Sequence, residues 1–162
     1  MVPAGCCLIA PCADATGAAP AHDVAHRSEA PTIDPHAAAI VTVQKADEWE
    51  SGGVTILTQA VAVKETGPKE TVARFGEVYS FSPTFFAVRR EQRVLLRVWN
   101  LQPDDEHDFA LMGPKGQVLY YTKLPPLGET LLWVTFHAEG PIDFKCLIHL
   151  PNMAGQILVL RP

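Results

Sequence analysis

The sequence predicts an all-β fold, a Greek-key β-sandwich that follows an N-terminal extension. From about residue 40 onward, short apolar runs alternate with polar positions, which is the pattern of half-buried strands. Turn residues such as Gly52-Gly53, Gly113-Pro114 and Gly140-Pro141 separate these runs. No long segment repeats its apolar residues every 3.6 positions, so a helical domain is not predicted.

Nine strands are predicted, and their phase indicates which side chains face the core. Val94, Leu96 and Val98 share one face of their strand, since alternate residues of a strand point the same way. By the same rule Leu132, Val134 and Phe136 form another apolar face. The predicted strands are Ile40 to Gln44, Val54 to Val63, Val72 to Phe81, Arg93 to Leu101, Phe109 to Met112, Gln117 to Thr122, Thr130 to His137, Ile142 to Cys146 and Gln156 to Leu160.

The first 36 residues differ in composition from the rest of the chain. Residues 1–15 are small and apolar and end in Ala13-Asp14-Ala15, which resembles a secretory cleavage site. We therefore expect a signal-peptide remnant and a protein that is periplasmic or otherwise exported. Residues 16–36 are rich in Ala and Pro without periodicity, which predicts a flexible leader. The remaining 37–162 are expected to form one domain, with extra N-terminal strands before a core of about 70–162.

Composition excludes several classes of protein. The 162 residues suffice for one domain with a real core. A net charge of −5 argues against a nucleic-acid partner, which would favour a basic stripe. No apolar run reaches the ~20 residues of a membrane-spanning helix, so membrane association is expected only through the N-terminus.

A cluster of metal-binding residue types follows the predicted strand that ends at Cys146. Cys146, His149 and Met153 offer a thiolate, an imidazole and a thioether within eight residues. Two histidines, one cysteine and a weak axial methionine form the trigonal copper site used for one-electron transfer. The second histidine must come from elsewhere, and His107, which precedes another apolar run, is the best candidate.

Other ligands and another metal remain open alternatives at this point. Met112, near His107 in the sequence, is a rival axial ligand, although an apolar strand also explains it. Zinc is disfavoured, because structural zinc takes its four ligands from Cys and His and methionine is a poor zinc ligand. The acidic residues around His107 predict a solvated acidic turn. Asp108, directly after that histidine, is expected to offer its backbone N–H near the thiolate.

About half of the chain, from Phe81 to Leu160, carries a series of motifs in one order: Phe81-Ser-Pro83, Val94 to Asn100, His107, Leu127-Gly-Glu-Thr130, Phe144-x-Cys146-x2-His149 and Met153-x-Gly155. On these motifs the chain resembles the cupredoxins, the plastocyanin and azurin family of blue copper proteins. The resemblance implies a cupredoxin-like β-sandwich with one copper ion, cycling between Cu(I) and Cu(II), near one end. It also implies His107, Cys146 and His149 as strong equatorial ligands and Met153 as the axial one.

From this resemblance we expect an electron carrier that shuttles single electrons between redox partners, as in a respiratory chain, and not an enzyme. The expected partner is a redox protein such as a c-type cytochrome or a terminal oxidase, bound transiently, and the chain is expected to be a monomer. Two alternatives stay open: a periplasmic copper-handling protein (a chaperone or buffer), and a cupredoxin-like accessory subunit of a larger respiratory enzyme.

Overall fold

The computed structural model describes residues 29–162. Over this range the chain forms ten strands and one short α-helix, α1 (Lys69–Phe75), and a single 3-10 turn lies at Ala37–Ala39. The strands are β1 (Val41–Lys45), β2 (Val54–Ala62), β3 (Val78–Ser82), β4 (Phe85–Arg89), β5 (Arg93–Trp99), β6 (His107–Met112), β7 (Val118–Leu124), β8 (Glu129–Phe136), β9 (Gly140–Lys145) and β10 (Ala154–Leu160).

The strands form two five-stranded sheets, which confirms the predicted β-sandwich. One sheet has the order β1-β8-β5-β2-β3, and the other has the order β4-β10-β9-β6-β7. Strands distant in sequence are neighbours, as when β8 pairs with β5 and β10 pairs in parallel with β4. Such crossovers between the two sheets are the hallmark of Greek-key sandwiches.

The core lies between the sheets and contains the faces that the strand phase predicts. Val94, Leu96 and Val98 of β5 are buried, and so are Leu132 and the next two alternate residues of β8. The second sheet adds its own alternating positions, among them Phe144 of β9. Because both inner faces are apolar, packing of one sheet against the other supplies the main stabilisation of the fold.

One local prediction is wrong, and one strand was not predicted. The predicted strand Val72–Phe81 begins instead as helix α1, which follows Pro68 and ends at Gly76 with a positive φ of 76°. Its residues are mostly good helix formers, and their intrinsic preference outweighs the weak alternation that suggested a strand. The strand proper, β3, starts only at Val78. Strand β4 was not predicted, because Phe85–Arg89 pairs with a single strand far along the chain.

The N-terminal part of the described chain belongs to the sandwich. Ile33 forms a bridge with Val118 of β7, and the 3-10 turn then leads to β1 at the edge of the other sheet. Strand β2 lies inside its sheet, between β5 and β3. The predicted signal-peptide remnant (1–15) and most of the predicted leader (16–36) lie outside the described residues. No helix within residues 29–162 is long and apolar enough to cross a lipid bilayer.

Strand β2 offers a test of whether the region before residue 70 belongs to the cooperative core. Ile56→Ala is expected to lower the free energy of unfolding by about 2–5 kcal/mol, because Ile56 is fully buried and its truncation leaves a cavity. Val61→Ala on the same strand is the matched control. Val61 is 60% exposed, so a change below about 0.5 kcal/mol is expected. Urea denaturation measures both, and equally small effects would contradict the inclusion of β2 in the core.

Candidate metal centre

Three side chains meet at one end of the second sheet. His107 is the first residue of β6, and Cys146 directly follows β9, its neighbour in the sheet. The antiparallel register, in which Ala110 faces Lys145, brings the start of β6 beside the loop after β9. His149 lies in that loop, so local sequence and strand pairing together place the three donors.

The donor atoms form a compact triangle. His107 Nδ1 lies 3.0 Å from His149 Nδ1, and Cys146 Sγ lies 3.8 Å and 3.5 Å from these two nitrogens. A point about 2 Å from all three atoms lies in their plane, close to the ~2.0–2.3 Å bonds that nitrogen and sulfur donors make to first-row metals such as zinc. The triangle therefore fits one metal ion in a trigonal arrangement.

Burial favours the uncharged forms of Cys146 and His107. Cys146 and His107 are fully buried, while His149 is half-buried. Burial raises the pKa of the Cys146 thiol to about 12, and the charge of Asp108 acts in the same direction. Burial, and then the neighbouring His149, lower the pKa of His107 to about 4. When a metal binds, the cation replaces the thiol proton and stabilises the buried thiolate.

Met153 closes the same loop from inside the protein. Its side chain is fully buried. Its carbonyl oxygen accepts a hydrogen bond from the Cys146 N–H at 2.9 Å, and its own N–H donates to the His149 carbonyl at 3.3 Å. These two backbone hydrogen bonds hold the three residues that carry the thiol, the imidazole and the thioether in one tight turn. The His-Cys-His-Met group suits a single copper ion, because thiolate and thioether are soft ligands and imidazole serves both copper oxidation states.

The predicted alternative axial ligand lies elsewhere. Met112 is the last residue of β6 and His107 is the first, so about 17 Å of extended strand separates them. Met112 pairs with Val118 and Asp143 at the far end of that strand. Among the methionines of the described chain, Met153 is therefore the axial candidate, and its role as a ligand stays a prediction from the sequence.

Asp108 joins the site through two hydrogen bonds. As expected from the sequence, its backbone N–H points at Cys146 Sγ, at 3.5 Å. The predicted solvated turn is wrong for Asp108, which is 2% exposed and lies in β6, whereas Asp104 and Glu106 are exposed as predicted. The Asp108 Oδ1 atom accepts the Leu147 N–H at 2.5 Å, which ties the loop to β6. Burial raises the pKa of this carboxyl, and the bond from Leu147 partly opposes that effect.

Sequence reasoning missed one residue that contacts the site. Tyr79 of β3, in the other sheet, packs against both imidazoles, with ring centroids 4.8 Å from His107 and 4.5 Å from His149. Its hydroxyl donates a 2.6 Å hydrogen bond to Asp105. No spacing rule connects a tyrosine of β3 with a loop some seventy positions later. Only the alternation of buried Tyr79 and Phe81 marks it as inward-facing.

Comparison with known proteins supports the fold. The sequence matches no protein-family model and no curated protein sequence. A copper nitrite reductase from Nitrosomonas europaea matches with a TM-score of 0.51 and 11% identity, over 67% of this chain and 48% of that chain. At this identity the likeness shows the fold alone, and that fold, with the His-Cys-His-Met group at its end, bears out the resemblance to cupredoxins.

Two shorter proteins also match along most of their length. Auracyanin A, a "blue" copper protein from Chloroflexus aurantiacus, is 18% identical over 67% of this chain and 100% of that chain, with a TM-score of 0.48. Amicyanin from Paracoccus versutus is 13% identical over 74% and 97%, also with a TM-score of 0.48.

The buried carboxyl of Asp108 predicts a pH dependence of stability in the metal-free protein. A carboxyl whose pKa is raised on folding stabilises the fold below its unfolded-state pKa, and this contribution is lost as the pH rises through the folded-state value. Asp108→Asn keeps an acceptor for the Leu147 N–H without the charge. Relative to the wild type, we expect this variant to gain stability as the pH rises from about 4 towards neutrality.

Chemical denaturation at several pH values measures this difference. Asp108→Ala is the control that removes the acceptor, and it is expected to be about 1–3 kcal/mol less stable than Asp108→Asn, because the Leu147 N–H loses its partner. Parallel pH curves for the wild type and Asp108→Asn would contradict the prediction.

Proposed function

We propose that this chain is a mononuclear copper-binding electron-transfer protein. The observation that carries the proposal is the convergence of His107 Nδ1, His149 Nδ1 and Cys146 Sγ on one point, with Met153 buried in the same loop. Two imidazoles, one thiolate and one thioether are the ligand set of one-electron copper sites. Within residues 29–162 this is the one such cluster, which favours a single copper ion over a multinuclear centre.

The surroundings of the donors suit repeated electron transfer. When bound, copper supplies one-electron chemistry by cycling between its two oxidation states. Cys146 and Met153 are joined by a backbone hydrogen bond, and Asp108 ties Leu147 to β6. These bonds hold the ligands in one arrangement, so the protein has little to rearrange when the charge of the site changes.

The exposure of the ligands indicates where electrons leave. Cys146 and His107 are fully buried, whereas the edge of His149 is half-buried. The neighbouring loop residues Leu147, Leu150 and Pro151 are apolar, and Leu150 is 52% exposed. We propose that this surface makes a small, transient contact with a redox partner such as a c-type cytochrome or a terminal oxidase, since weak redox encounters use small interfaces.

Two alternatives fit the same ligands. A copper-handling protein would hold Cu(I) and release it to a partner, so slow electron self-exchange would favour it. An accessory subunit of a respiratory enzyme would co-purify with that enzyme through the region before residue 75. An enzyme is a weaker proposal, although the fold also occurs in a nitrite reductase, because the residues that the structure describes hold a single donor cluster of the mononuclear kind. We also propose export to the periplasm, supported by Ala13-Asp14-Ala15.

The thiolate provides the first test of the site. Copper(II)-loaded wild-type protein is expected to show intense visible absorption from thiolate-to-copper charge transfer, and Cys146→Ala is expected to lose it completely. Met153→Leu is the matched variant: it keeps the three strong donors, so the band should persist with a changed EPR spectrum and a raised reduction potential. Absorption that survives in Cys146→Ala would refute the proposal.

The contact surface around His149 is tested by electron self-exchange, which needs no identified partner. In self-exchange two copies of the protein meet through this surface, so Leu150→Asp places like charges opposite each other. We therefore expect the self-exchange rate measured by NMR to fall about tenfold or more, with an unchanged optical spectrum. Leu160→Asp is the control, because Leu160 is 43% exposed and ends β10 at the opposite end of the sandwich. Equal rates in the two variants would contradict the proposed exit.

A further inference from the structure

The two histidines of the proposed site need something to fix the direction of their rings. A histidine that binds a metal usually donates its other ring N–H to an acceptor, which sets its orientation. His107 Nε2 is buried and has no hydrogen-bond partner among the described residues. The orientation of the His107 ring must therefore be fixed by packing against a neighbouring ring instead of by a hydrogen bond.

Tyr79 is the ring that makes this contact. It is 1% exposed and meets His107 edge to face, with an interplanar angle of 71°. The same ring lies tilted at 51° against His149. Aromatic rings prefer such edge-on and tilted arrangements at these separations. One side chain thus touches both imidazoles, whose own planes meet at 58°.

The phenol oxygen of Tyr79 is anchored to the loop that leads into His107. Its O–H donates to Asp105 Oδ2 at 2.6 Å. The Asp105 carbonyl accepts a 2.8 Å hydrogen bond from the buried side chain of Asn100, which also donates to the Leu124 carbonyl. The Asn100 Oδ1 accepts from the Thr58 hydroxyl at 3.0 Å. The tyrosine ring is therefore held at its backbone by β3 and at its hydroxyl by a buried polar network.

We propose that Tyr79, anchored through Asp105, is the positioning residue of the copper site and orients both imidazoles so that their Nδ1 atoms face Cys146 before copper binds. This inference rests on the proposed copper site and adds to it a residue from the other sheet. The rival explanation is that Tyr79 only fills the core. Substitution of Phe81 distinguishes these two explanations. Phe81 is two residues along the same strand and equally buried, but it packs against Phe109 and Phe144 instead of the histidines.

The experiment compares Tyr79→Leu, Tyr79→Phe and Phe81→Leu with the wild type. Cu(I) affinity is measured by competition with a chromogenic chelator, and the EPR and optical spectra of the Cu(II) forms are recorded. Tyr79→Leu is expected to lose about tenfold to a hundredfold in Cu(I) affinity and to change its spectrum, as when other outer contacts of metal ligands are removed. Phe81→Leu is expected to lower only the melting temperature.

Tyr79→Phe keeps both ring contacts and removes the hydroxyl that Asp105 anchors, so a smaller loss of affinity in the same direction is expected. The proposal is overturned if Tyr79→Leu and Phe81→Leu give the same affinity and the same spectrum. If Tyr79→Leu does not fold, Tyr79→Phe decides alone, and an affinity and spectrum equal to those of the wild type overturn the proposal.

A measurement without metal separates this proposal from the copper site itself. In the metal-free protein, 15N NMR of the imidazoles is expected to show His107 and His149 ring signals broadened by exchange in Tyr79→Leu and sharp in Phe81→Leu. Sharp signals in both variants contradict the positioning role. A wild-type protein without thiolate-to-copper absorption would refute the proposed function instead, while the NMR comparison still decides what Tyr79 does to the two rings.

Discussion

The thiol of Cys146 has to be fully buried and still face two imidazoles, and the end of the sandwich is built around that requirement. A buried thiol is tolerated as a small apolar group, and burial raises its pKa to about 12. A buried thiolate, by contrast, is stable only next to a cation or strong hydrogen-bond donors. The neutral His107 and the N–H of Asp108, which points at the sulfur, provide surroundings that suit a metal cation.

Much of this arrangement follows from local sequence. Cys146, His149 and Met153 occupy one loop, so their spacing alone brings them together, and Asp108 is adjacent to His107. The contact of Tyr79 with the site could not be predicted, because its position depends on how the two sheets pack and not on any neighbour in the sequence. The same limit explains β4, whose pairing with β10 joins residues about seventy positions apart. Helix α1 was missed because Val72 and Val78 fit an alternating pattern as well as a helix followed by a strand.

The rigidity of the site bears on the choice between a carrier and a copper-handling protein. A protein that delivers copper has to let its ligands move apart so that the partner's donors can enter. Here backbone hydrogen bonds close the turn from Cys146 to Met153, Asp108 ties that turn to β6, and Tyr79 packs against both imidazoles. Opening the site for a partner's donors would require some of these contacts to break. The proposed exit of electrons at the half-buried edge of His149 requires none of them to break, which favours the proposed carrier.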